Sequence, residues 1–133
     1  MTGEITEYNG LLEVGPNLTD VTFFGQGTVP TPLEITPSQM GEDLEGQLVR
    51  INGVTFPLAG TFITGNNTYD FSSAGESGVI YVRTSNSLVG QELTGCEVDM
   101  LGIVSQFSFD GFGGYQLLPR GPVDLIPVSA LCY

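Results

Sequence analysis

The chain has 133 residues, 41% of them hydrophobic, which is enough for one domain with a core of its own. Fifteen acids stand against three arginines (Arg50, Arg83 and Arg120), with no Lys and no His, for a net charge of −12. That balance repels polyanions, so nucleic acid is a poor partner, and the missing His and Lys remove the commonest general bases and amine nucleophiles.

Nineteen glycines and eight prolines punctuate short runs rich in Val, Ile, Thr, Phe and Tyr. This is the pattern of an all-β chain with tight turns. The first segment runs Gly3-Glu4-Ile5-Thr6-Glu7-Tyr8-Asn9-Gly10-Leu11-Leu12-Glu13-Val14 and then reaches Asp20. It reads as a strand, a glycine turn and a second strand. Residues 37–44 offer a turn or two of helix at most.

Residues 47–56 form the clearest strand. Val49 and Ile51 share one face, and the parity changes at Gly53 so that Val54 and Phe56 follow. A glycine bulge does this to a strand, and it lets one strand serve two parts of a curved sheet. Residues 68–72 and 78–84 read as a hairpin across 73–77. Residues 97–109 and 114–119 read as a second hairpin across a glycine-rich tip. The segment 85–95 lies between them. A bent strand followed by two hairpins is the order of an OB-like small barrel of about five strands.

The segment 102–107 (Gly-Ile-Val-Ser-Gln-Phe), with Gly114-Tyr115-Gln116-Leu117-Leu118 and Asp124, echoes the N-terminal segment. Both read glycine, strand residues, an aromatic, a glycine turn, an apolar strand and an Asp. The N-terminal copy is therefore expected to be the closing hairpin of a second barrel. Three parts follow: residues 1–35 as the partial barrel copy, 36–127 as the OB-like barrel, and 128–133 as a strand-like tail. Head and tail would then meet in strand completion between copies, with Gly3, Ile5, Tyr8, Leu11, Val128 and Leu131 as the exchanging residues. Head-to-tail contacts are heterologous and give open filaments when the rotation does not close.

The phrases Glu45-Gly46-Gln47-Leu48-Val49-Arg50-Ile51-Asn52-Gly53-Val54-Thr55-Phe56, Val79-Ile80-Tyr81-Val82-Arg83-Thr84, 102–107 and Tyr115-Gln116-Leu117-Leu118-Pro119-Arg120 resemble one family. They are similar to the OB-like modules of secreted bacterial proteins. Those modules occur in tandem in Bacteroidetes-type surface proteins and beside the catalytic domains of extracellular nucleases. The resemblance covers residues 45–126 and, in part, 3–24. It implies an OB-like fold, secretion and an accessory role, and it carries over no catalytic residues.

No phosphate loop, nucleophile elbow or zinc spacing is present, so no enzyme is expected. Calcium is the cofactor that the acids would suit, with Asn66, Asp70 and Asp110 on candidate loops. The bland alternative is a solubilising acidic surface with ordinary turn chemistry. Phe107, Phe109, Phe112 and Tyr115 cluster on the last hairpin. Alternation puts Phe107 and Phe109 on one face, at least two of the four in the core, and Phe112 exposed at the tip. Phe112, Tyr115, Arg83 and Arg120 are the ligand or interface candidates, with Arg120 placed to pair Asp124 in a turn.

Cys96 and Cys132 suit a disulfide, within or between chains, in an oxidising compartment. No stretch is apolar for the length of a membrane helix. The expected protein is a non-catalytic extracellular structural module that associates with copies of itself into a filament or surface array. The alternative is an accessory ligand- or nucleic-acid-binding domain of a secreted nuclease.

Overall fold

The computed structural model describes residues 1–15 and 17–132. Among these residues nine strands and three single 3-10 turns make the fold all-β. β1 (Ile5–Tyr8) and β2 (Leu11–Val14) form a two-stranded antiparallel sheet of their own. Asn9 and Gly10 join them with positive φ at both positions (49° and 91°). An Asn-Gly pair suits this mirror-type turn, whose twist matches that of the strands.

A seven-stranded mixed sheet makes the body. It contains β3 (Leu33–Glu34), β4 (Leu48–Val54), β5 (Asn67–Ser73), β6 (Glu76–Val82), β7 (Val98–Gln106), β8 (Tyr115–Leu118) and β9 (Leu125–Pro127). The order is β3-β4-β7-β8-β6-β5, with β9 on β7. β6 and β8 meet in parallel at Ile80 and Leu117, and β7 pairs antiparallel with β4, β8 and β9. The sheet curls until Thr55 and Ser72 exchange two backbone hydrogen bonds of 2.9 Å. That single pair is the only ladder contact between the β4 end and β5 among the described residues, so no continuous ladder closes a barrel.

The bulge falls where the parity of β4 breaks. The register to β7 shifts between Ile51 and Val54, and Gly53 has φ 62°. Val49, Ile51, Val54 and Phe56 are consequently all buried. Phe71, Ile80, Val82, Met100, Val104 and Leu117 complete the same core. The β5–β6 hairpin is tighter than the five-residue loop expected, because Ala74 and Gly75 both take positive φ (49° and 82°) and turn the chain in two residues. Residues 85–95 hold no helix. They drop Leu88 and Leu93 into the core, and Phe62 bridges to Glu92. The helical stretch expected over 37–44 is two 3-10 turns, Pro37–Gln39 and Glu42–Leu44.

The strand-like tail is corrected. Val128 donates its N–H to the Glu97 carbonyl at 3.1 Å, and the chain then bends and turns through Leu131. Cys132 is bonded to Cys96 of the same chain, Cα to Cα 5.7 Å. A chain held this close to residue 96 turns back instead of extending. Tyr133 lies outside the described residues.

Candidate assembly and binding site

The β1–β2 hairpin repeats the β7–β8 hairpin in register as well as in sequence. Ile5 pairs with Val14 and Tyr8 with Leu11; Val104 pairs with Leu117, and Phe107 donates its N–H to the Gly114 carbonyl. Aligning Tyr8 with Phe107 superposes every one of those pairs. A Cβ on Gly3 would stand 2.7 Å from Val14 Cγ1, and one on Gly102 would stand 2.6 Å from Leu117 Cγ. At the far end the N–H of Thr2 donates to the Asp20 carbonyl at 2.6 Å, and Thr2 and Asp20 form an antiparallel bridge. Leu101 and Asp124 occupy the matching positions, one step beyond the Met100–Leu125 pair.

The two copies differ in what covers them. Val104 and Leu117 are 1% and 0% exposed, while their counterparts Ile5 and Val14 are 66% and 43% exposed. In β7–β8 that face is packed by β4 and β6. In β1–β2 it is open, and Leu12 beside it is exposed too. A lone two-stranded hairpin is marginally stable in water. After Asp20 the chain runs exposed through Val21, Phe23, Phe24 and Val29, with no strand partner among the described residues. The sequence expectation singled out Ile5, Leu11, Tyr8 and Gly3 here but missed Phe23 and Phe24.

The opposite face of the hairpin, carrying Tyr8, Leu11 and Glu13, looks onto the outer surface of β6, β7 and β8. A cleft of about 440 Å³ lies between them. The turn of the hairpin rests on the body. Ser108 donates its N–H to the Asn9 carbonyl at 2.7 Å, and Gly10, at φ 91° where glycine is favoured, lies close enough to Gln106 that a Cβ would meet its Oε1 at 2.6 Å. Tyr8 meets Phe107 edge to face with ring centroids 6.3 Å apart, and Phe107 meets Phe109 at 5.4 Å.

Those two phenylalanines correct the expectation of a buried pair. β7 ends at Gln106, after which the chain swings outward toward Asn9, so Phe107 is exposed and Phe109 is 90% exposed. Phe112 sits exposed at the tip as expected. Tyr115 is half-buried against the core, and its hydroxyl donates to the Glu42 carboxylate at 2.9 Å, which pushes the phenol up. It is committed to that contact.

The three arginines separate. Arg50 pairs with Asp99. Arg120 pairs with Asp124 across the turn, and Asp124 is 1% exposed. Arg83 is exposed at the cleft and has no ion-pair partner among the described residues. Ser105, Gln116 and Glu13 line the same cleft, and none of them was singled out from the sequence.

The calcium candidates lie apart in their local roles. Asn66 Oδ1 accepts from the Tyr81 hydroxyl at 3.1 Å. Asp70 is exposed on β5 opposite Val79. Asp110 accepts from the Ser108 hydroxyl at 2.6 Å and the Phe112 amide at 3.0 Å, and these hold its carboxyl below the usual aspartate range. No three His, Cys, Asp or Glu side chains gather into a metal cluster among the described residues.

Fold and site together define an all-β module with an internal disulfide, carrying two hairpins of matching register, one of which leaves Ile5, Leu12 and Val14 exposed. Among the described residues no helix is long and apolar enough to cross a membrane. No protein-family model, curated protein or solved structure matches the chain.

Proposed function

We propose that this chain is a non-catalytic extracellular structural module that associates head to tail with copies of itself by strand completion. One observation carries the reading. The same hairpin occurs twice in one chain, buried in one place and bare in the other. Burying Ile5, Leu12 and Val14 would recover about 1.5 to 3 kcal/mol for each side chain. The outer edge of β5 supports the acceptor side, since beyond the Ser72 bridge it has no strand neighbour among the described residues. A donor hairpin on one copy and an open edge on the next is a heterologous contact, which extends instead of closing.

The OB-like reading is supported by strand order. Read around the curl, β4-β5-β6-β8-β7 is the order of a five-stranded OB barrel, with its third and fifth strands parallel and its first strand bulged. The disulfide supports export to an oxidising compartment. The resemblance to tandem modules of secreted bacterial surface proteins supports the same setting. The nucleic-acid-binding alternative has less behind it, because Arg50 and Arg120 are already bound to carboxylates.

Sedimentation velocity over a range of concentrations tests the reading, with negative-stain imaging of the same samples. Species larger than one chain, growing with concentration, are expected. A single monomeric boundary throughout would overturn it.

A further inference from the structure

The cleft between β1–β2 and the sheet uses the other face of the hairpin from the one proposed to assemble, so it can be judged independently. Its chemistry is mixed in an informative way. In a chain with 15 acids, two arginines have taken a carboxylate and the third has none among the described residues. That third one, Arg83, stands at the cleft. Ser105 lines it from β7, and although the residue is only 5% exposed, its hydroxyl bonds to no other described residue. Gln116 lines it from β8, with an equally unspent side-chain amide. Tyr8 and Phe107, held edge to face, wall one side.

We infer that this cleft binds an oligosaccharide carrying a single carboxylate. The guanidinium of Arg83 offers the fork geometry that a carboxylate takes bidentately. Ser105 and Gln116 supply the donors and acceptors that ring hydroxyls need, and aromatic walls cover the apolar faces of sugar rings. Glu13, on the hairpin side, accepts from hydroxyls and repels a second carboxylate. The net charge of −12 works in the same direction against polyanions. At about 440 Å³ the cleft matches small-ligand sites. Asn9 and Gly10 hold the turn end of the hairpin against Ser108 and Gln106 at one end of the cleft.

Calorimetric titration of the full chain tests the inference. The probe is xylotriose bearing one glucuronic acid branch, with unbranched xylotriose as control. Saturable binding of the acidic probe is expected, with the neutral control weaker by about tenfold or more. Arg83→Ala should weaken the acidic probe by a similar factor and leave the melting temperature unchanged. No saturable heat, equal affinity for the neutral sugar, or full binding by Arg83→Ala would each overturn it. None of these results bears on whether the chain self-associates.

Discussion

Arg120 grips Asp124 through three hydrogen bonds, from its own backbone N–H at 2.8 Å, from Nε at 2.9 Å and from Nη2 at 2.7 Å. The carboxylate sits at the turn that leads β8 into β9 and is buried, while the guanidinium keeps a solvent-facing side. Removing the cation strands a buried charge. Arg120→Ala should therefore cost about 3 kcal/mol in urea unfolding. Adding Asp124→Leu should recover part of that loss, because an apolar side chain needs no counter-charge there. An Arg120→Ala cost below about 0.5 kcal/mol would show the pair to be no stronger than an exposed one.

The Cys96–Cys132 bond closes a loop with a sequence separation of 36. A loop of that length restricts the unfolded chain by about 4 kcal/mol on the chain-entropy account. Cys132→Ser should lower the denaturation midpoint accordingly, and reduction of the wild type should match it. A variant as stable as the oxidised wild type would show that the bond constrains nothing.

The paired glycines separate the two hairpins. A side chain at Gly102 would collide with Leu117 Cγ at 2.6 Å and the Leu118 carbonyl at 2.9 Å inside the core. Gly102→Ala should cost about 2 kcal/mol by overpacking. Gly3→Ala meets the same kind of contact on the bare hairpin. It should speed amide exchange in β1 and β2 and leave global unfolding where it was. Equal losses of global stability from both changes would contradict the separate standing of the hairpin.

Asp110 carries the clearest pH effect. The Ser108 hydroxyl and then the Phe112 amide hold its carboxyl below the usual aspartate range. A depressed folded value means that the turn's stabilisation is in place above the unfolded value and is lost as pH falls through the folded one. In NMR titrations the Phe112 amide should therefore move with a midpoint below that of a free aspartate. A midpoint at or above it would show that the contact does not favour the charged form.

Much of this fold is legible in the residues. The parity change at Gly53 located the bulge, and the echo of 102–107 in the first dozen residues located the second hairpin. Asn9-Gly10 and Ala74-Gly75 show the limit. The first pair is a turn signal in its own right, whereas Ala at positive φ is set by the strands around it, so the sequence suggests a wider loop than the two residues that turn. Phe107 and Phe109 break the expectation because alternation holds only while a strand continues, and β7 stops at Gln106, two residues before Ser108 bonds to the Asn9 carbonyl. The tail misled for another reason. Val128 and Leu131 have strand-like neighbours, but a covalent tie to Cys96 outweighs local propensity. At the site, Arg83 was visible as one of three cations. That it alone lacks an ion-pair partner among the described residues, and that Ser105 and Gln116 line the same cleft, depends on contacts between strands distant in sequence.

The most direct measurement sets wild type beside Val14→Asp in sedimentation velocity at matched concentration, with thermal melts of both. Val14 packs against no core residue of its own chain, so the charge should abolish the larger species and leave the melting temperature unchanged. Larger species that persist in Val14→Asp, or a wild type that never exceeds one chain, would contradict the assembly role of the bare hairpin.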